Sequence, residues 1–175
     1  MLIFLSGGAK NGKSTLAQDL SVSLCKNKKL YYLATMIPTD AEDDARIVRH
    51  ISERDGLGFQ TVEHGKKLAE CKADAEGTYL LDSVTALLAN EMFLADGTAD
   101  VSASERVARE LCDFADRVKN VVFVSDYIYG DGRIYDEFTE EYRKGLAQID
   151  RVLAAKCDVV AEVMHGVPIC YKGKL

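Results

Sequence analysis

The octet Gly7-Gly8-Ala9-Lys10-Asn11-Gly12-Lys13-Ser14 leaves this chain little freedom of fold. It has the spacing G-x-x-x-x-G-K-S. The apolar run Leu2-Ile3-Phe4-Leu5 precedes it, and a helix-like segment over 15–25 follows. Glycines let such a loop curl until successive backbone N–H groups point inward at phosphate oxygens. The helix behind it adds the positive end of its dipole. A lysine at position 13 reaches the β- and γ-phosphates, and a serine at position 14 holds Mg²⁺. The alternative is a Gly-rich turn that happens to carry Lys and Ser, and the strand–loop–helix context weighs against it.

The rest of the chain reads as elements around that loop. Helix is expected over 14–26, with Leu16, Leu20 and Leu24 as core, and Asn27-Lys28-Lys29 is a polar break. Strands are expected over 30–35, 59–63, 78–83 and 120–125. A short helix is expected over 65–71, and longer ones over 84–95, 102–118 and 138–155. In the 84–95 helix, Leu87, Leu88, Met92 and Phe93 are the expected core. Segments 157–164 and 167–172 flank His165-Gly166 as a terminal hairpin. The order predicts an α/β fold of P-loop NTPase type: a mostly parallel sheet flanked by helices, with a short C-terminal antiparallel hairpin, in one domain over 1–175.

Several residues stand out as chemistry-bearing. Thr39 and Glu42 have capping-box spacing for a helix running to about Ser52, and acidic residues crowd its first turns. Arg46, His50 and Arg54 fall at i, i+4 and i+8 and share one face, while Ile47, Val48 and Ile51 form another face suited to packing. Arg46 either assists phosphate chemistry or only pairs with Glu42. Asp82 ends an apolar strand, where it can hold Mg²⁺ or its waters, cap the next helix, or both. The loop over 126–136, with three tyrosines and Gly130-Asp131-Gly132, is either a substrate-contacting loop or an ordinary surface one. His64 and His165 read as non-catalytic.

A net charge of −6 disfavours non-specific binding to nucleic acid or a membrane surface. The five cysteines, at 25, 71, 112, 157 and 170, are odd in number and contain no C-x-x-C pair. That argues against a disulfide framework or a zinc site and for a reducing compartment, with most thiols packed in the core. With no leader-like start and no bilayer-length apolar run, the expected location is the cytoplasm.

Together these segments resemble the adenosylcobinamide kinase/adenosylcobinamide-phosphate guanylyltransferase family of cobalamin biosynthesis. The likeness runs over nearly the whole chain: G-G-A-x-x-G-K-S after the first strand, Tyr32-Leu33-Ala34-Thr35, Glu42…Ala45-Arg46-Ile47-x-x-His50, Thr61-Val62-Glu63, Leu80-Leu81-Asp82-Ser83-Val84-Thr85 and the V-V-F-V-S strand. The resemblance implies two reactions, with ATP and GTP as substrates and Mg²⁺ as cofactor. The first moves a γ-phosphate to the aminopropanol hydroxyl of adenosylcobinamide. The second moves GMP from GTP to the new phosphate through a guanylylated histidine, which matches His50. Lys13 is the other implied catalytic residue. Implied nucleotide contacts are Gly7, Gly8, Ala9, Lys10, Asn11, Gly12, Lys13, Ser14, Thr15, Ala34, Thr35, Met36, Ile51, Ser52, Glu53, Arg54, Glu63 and Asp82, with Ser14 and Asp82 toward the metal. A homotrimer is also implied. The chain departs from the family where Asn-Glu usually follows the fourth strand, since it has Asp126-Tyr127 there, and again at Tyr142-Arg143-Lys144 and Ile149-Asp150. Those changes leave open a single-activity kinase, or a nucleotide-dependent switch with no corrinoid substrate.

Overall fold

Successive residues of the central strands point to opposite faces, and both faces are apolar, the pattern of a parallel sheet covered on both sides. In the computed structural model, which describes residues 1–26 and 29–175, that sheet has seven strands. They are β1 (Leu2–Gly7), β2 (Leu30–Ala34), β3 (Phe59–Glu63), β4 (Thr78–Asp82), β5 (Asn120–Asp126), β6 (Val159–Met164) and β7 (Val167–Lys172), in the order β3-β2-β4-β5-β1-β6-β7. Only the β6–β7 pairing is antiparallel. The expected fold class is the observed one. Of the expected polar break, residues 27 and 28 lie outside the described residues.

The helices are α1 (Lys13–Cys25), α2 (Ala41–Glu53), α3 (Val84–Met92), α4 (Ala103–Arg117) and α5 (Glu137–Lys156). Phe4, Leu33, Leu81 and Phe123 face α3, α4 and α5. Ile3, Leu5, Leu80, Val122 and Val124 face α1. Among the described residues no helix is long and apolar enough to cross a membrane.

Local readings shift where packing overrides pattern. Leu16, Leu20 and Leu24 are only half-buried; the fully buried face of α1 is Ala17, Gln18, Ser21 and Cys25. The short side chains of Ala17, Ser21 and Cys25 let the helix approach the sheet closely, and Ser21 Oγ donates back to the Ala17 carbonyl. Phe93 is 42% exposed, because α3 stops at Met92 and the backbone turns extended at Phe93. The expected 65–71 helix is a single 3-10 turn, Leu68–Glu70. Cys157 ends α5 rather than starting a strand, and burial pushes its thiol up to about 12. Cys25 and Cys71 are also buried, whereas Cys112 is half-buried and Cys170 exposed.

Two corrections concern α2. Its N-cap is Asp40, not Thr39: the Asp40 carboxylate accepts the N–H groups of Glu42 and Asp43, both at 2.9 Å. Thr39 instead donates its own N–H and hydroxyl to the Asp43 carboxylate. The Ile47-Val48-Ile51 face does not pack into the core. No residue of α2 is buried, and Val48 and Ile51 are 65% and 51% exposed. The helix stands over an open cavity instead of lying on the sheet.

Candidate nucleotide and phosphate-transfer site

Parallel pairing sets the site by register. Gly7 of β1 lies opposite Asp126 of β5, while Ala34 of β2 lies between Glu63 of β3 and Asp82 of β4. The carboxyl ends of the strands, where open α/β sheets bind ligands, therefore hold two clusters.

The first cluster is the phosphate loop. Its backbone turns left-handed at Lys10 and Gly12 before α1 begins at Lys13. Lys13 is only 5% exposed, and its Nζ donates to the Gly8 carbonyl at 2.7 Å and pairs with Asp126 Oδ1 at 2.9 Å. The Asp126 N–H is held by Thr85 Oγ1 at 2.8 Å. The β6–β7 turn braces the loop from the other side: Asn11 Nδ2 donates to the Val163 carbonyl, and the Gly166 N–H donates to the Asn11 carbonyl.

The second cluster lines a cavity of about 980 Å³ between α2 and the ends of β2, β3 and β4. Arg46, His50 and Arg54 all face it, as their spacing predicts, together with Ala34, Met36, Ile51, Glu63 and Asp82. The Arg54 guanidinium lies 4.1 Å over the Tyr32 ring and donates to Thr61 Oγ1, so it is anchored at the cavity wall. The Tyr32 hydroxyl donates to Asp82 Oδ2 at 3.0 Å. Burial, and next the Asp82 carboxylate, raise the Tyr32 phenol far above its ordinary range, so it remains a protonated donor. His50 Nδ1 lies 3.4 Å from a Glu53 carboxylate oxygen but has no hydrogen-bond partner among the described residues.

Not every expected contact faces this cavity. Ser52 and Glu53 do not line it. Thr35 is fully buried and ties β2 to Ser83, its Oγ1 accepting the Ser83 N–H and donating to the Ser83 carbonyl. No residue from Gly7 to Thr15 lines it either, so the phosphate loop and His50 occupy adjacent stations rather than one. A smaller pocket of about 250 Å³ adjoins the cavity, with Asp126, Thr85, Asn90 and Tyr142 on its own walls. Met36, Ile37, Arg46 and Ser83 line both spaces.

Asp126 is the residue that sequence reasoning missed as a site group. It ends an apolar strand just as Asp82 does, which was the available signal, but only the strand order places it beside Lys13. Asp82 is separated from β1 by β5 and is engaged with Tyr32. The helix-capping alternative for Asp82 falls to Ser83, whose Oγ accepts the Ala86 N–H. Arg46 forms no ion pair with Glu42, nor any hydrogen bond or ion pair among the described residues. Arg143 staples the 126–136 loop, donating to the carbonyls of Ile128 and Arg133 and pairing with Asp131 and Glu140. His64 bonds the Lys67 carbonyl at the cavity rim, and His165 sits in the hairpin turn.

The family model for CobU, cobinamide kinase / cobinamide phosphate guanyltransferase, matches residues 3–171. No curated protein matches the chain. Among solved structures, the flagellar accessory protein FlaH from Methanocaldococcus jannaschii aligns with a TM-score of 0.56 at 13% identity, over 99% of this chain and 78% of that one. A KaiC-like protein from Pyrococcus horikoshii OT3 aligns at 0.53 and 11%, over 99% and 79%. A solved ATPase domain aligns at 0.51 and 12%, over 92% and 68%. At these identities the likeness concerns the fold, a P-loop ATPase-like α/β architecture.

Proposed function

Since the chain belongs to the CobU family, the cobinamide kinase / cobinamide phosphate guanyltransferases of cobalamin biosynthesis, we propose that it performs both reactions, using Lys13 for the first and His50 as the nucleophile of the second. In the kinase step the loop N–H groups and Lys13 hold a nucleoside triphosphate, ATP or GTP. The γ-phosphate passes to the aminopropanol hydroxyl of adenosylcobinamide. In the second step the His50 imidazole attacks the α-phosphorus of GTP. Pyrophosphate leaves, and the GMP held on nitrogen passes to adenosylcobinamide phosphate. An imidazole suits this role because a ring nitrogen presents a lone pair to the phosphorus and then leaves as a good leaving group.

The carrying observation is that His50 and Arg46 project from one face of α2 into a cavity that adjoins the pocket of Asp126, beside Lys13. The two stations are separate here, so His50 reaches a phosphorus on the loop only if α2 swings inward. A helix that buries none of its residues is suited to that motion.

The donor set fits Mg²⁺, which prefers hard oxygen ligands and keeps waters and substrate phosphates around it. Ser14 and, through water, the strand-end carboxylate of Asp82 would hold it, and when bound it would neutralise charge developing on the phosphates. Among the described residues there is no cluster of three side chains able to cage an ion without a nucleotide. We also read the molecule as a cytoplasmic homotrimer. The exposed Ile134, Tyr171 and Val167 support self-association, and light scattering checks it.

The test uses α-labelled GTP with Mg²⁺. Wild-type protein is expected to retain acid-labile label, and His50→Ala none, while His50→Ala still phosphorylates adenosylcobinamide. Label on His50→Ala equal to wild type eliminates the histidine mechanism. Phosphorylation without any label on wild type reduces the protein to a kinase.

A further inference from the structure

We propose that the small pocket between Asp126 and Arg46 is the acceptor subsite, in which Asp126 takes the proton of the acceptor hydroxyl and Arg46 grips the phosphate that replaces it. The inference rests on the two-reaction reading above and adds to it where the acceptor's reacting end lies and which side chains act on it.

Position carries the first half. Lys13 of a phosphate loop serves the β- and γ-phosphates of a bound triphosphate. A carboxylate 2.9 Å from its Nζ therefore stands beside the transferred phosphorus. Asp126 is placed there by strand pairing opposite Gly7 and by the hydrogen bond from its N–H to Thr85. When Lys13 turns to the phosphates, the Asp126 carboxylate is left facing the pocket with a vacant acceptor oxygen. A positioned aspartate that accepts a hydroxyl proton is a recurring part of phosphoryl-transfer sites.

The opposite wall carries the second half. Arg46 makes no hydrogen bond and no ion pair within 4 Å among the described residues, although its charge acts on the Asp43 carboxylate of the same pocket, and it lines both the pocket and the His50 cavity. It precedes His50 by one helical turn on the same face, so it travels with the nucleophile. The pocket's remaining polar walls are Thr39, Asp43, Ser83, Thr85, Asn90 and Tyr142. Its volume of about 250 Å³ admits a short arm ending in a hydroxyl or phosphate but not a corrinoid ring, which must lie outside.

The steps balance. In the first, a bond forms from the acceptor oxygen to the γ-phosphorus. The bond from that phosphorus to the β-phosphate oxygen breaks, its electron pair leaves on the nucleoside diphosphate, and the hydroxyl proton passes to Asp126. In the second, an oxygen of the acceptor phosphate attacks the phosphorus of GMP on His50. The N–P bond breaks with its electron pair on the imidazole, and Arg46 offsets the anionic charge of the two phosphates as they meet.

The experiment separates donor chemistry from acceptor chemistry in the intact chain. Asp126→Asn is expected to lower γ-phosphate transfer to adenosylcobinamide by about 10²–10³-fold and still to label with α-labelled GTP. Arg46→Gln is expected to label as well, while discharge of the labelled protein by adenosylcobinamide phosphate falls by about 10²-fold. GTP affinity, measured by equilibrium dialysis, reports that each variant is folded. Unchanged acceptor rates in both variants overturn the proposal. So does loss of labelling in parallel with acceptor chemistry while GTP is still bound, since the residues would then serve the nucleotide or its metal. A wild-type protein that neither labels nor phosphorylates refutes the two-reaction reading itself, and the subsite with it.

Discussion

At Gly7 a side chain has no room: an added Cβ would stand 2.5 Å from the Val163 carbonyl oxygen, which is backbone and cannot rotate away. Gly7→Ala is therefore expected to force β1 and β6 apart and cost about 1–3 kcal/mol, seen as a lower urea midpoint, with weaker GTP binding besides. Gly56 is the contrast. It has a positive φ but nothing within 4 Å of its added Cβ, so Gly56→Ala meets backbone strain alone and moves the midpoint less. The phosphate loop was legible in the sequence because all its parts lie within eight residues. The contacts of Lys13 with Asp126, and of Tyr32 with Asp82, were not. Each joins residues far apart in the chain, and only strand order brings them together.

Among the elements, α2 is the one whose pattern misleads. Its apolar stripe looks like a packing face, yet Ile47 and Ile51 border a cavity while Val48 faces solvent, and periodicity cannot tell a core from a cleft. Asp40→Ala removes the observed cap and should cost the helix about 1 kcal/mol. Because α2 buries nothing, that loss is local. Amide exchange over residues 42–46 should quicken about fivefold, the factor corresponding to 1 kcal/mol, while the global urea midpoint barely moves. A midpoint shift as large as that of Gly7→Ala would show that α2 is docked after all. The other helices were placed well, since their buried faces do rest on the sheet. The start of α3, capped by Ser83, falls where it was expected, while its end draws back from 95 to Met92 and that of α5 extends by one residue to Lys156, because the backbone turns extended at Phe93 and Cys157 and not where the hydrophobic spacing stops.

For the molecule as a whole, Asp150 ties stability to pH. Burial on the inward face of α5 is the main cause that raises its carboxyl to about 6, against the opposing pull of the Ser125 and Tyr129 hydroxyls. Tyr129 donates to Oδ2 at 2.9 Å, and Oδ1 has no partner among the described residues. An acid raised in the folded state favours folding when protonated. Its stabilising contribution is complete below about 3.9, the unfolded value, and is lost as pH rises through about 6. Lowering the pH from 7 to 5 should add about 1 kcal/mol from this group, and Asp150→Asn should flatten that portion of the stability curve in urea melts. The fold class was readable from the alternation of strands and helices, but the lateral sequence β3-β2-β4-β5-β1-β6-β7 was not. Each right-handed crossover satisfies the same apolar pattern wherever its strand inserts. The hairpin turn that props the phosphate loop has a temporal meaning. Residues 163–166 leave the ribosome some 150 positions after the loop they support, so a nascent chain carries its nucleotide motif long before that motif can be set. Nucleotide can reward the finished molecule with added stability, but it cannot guide the emerging one.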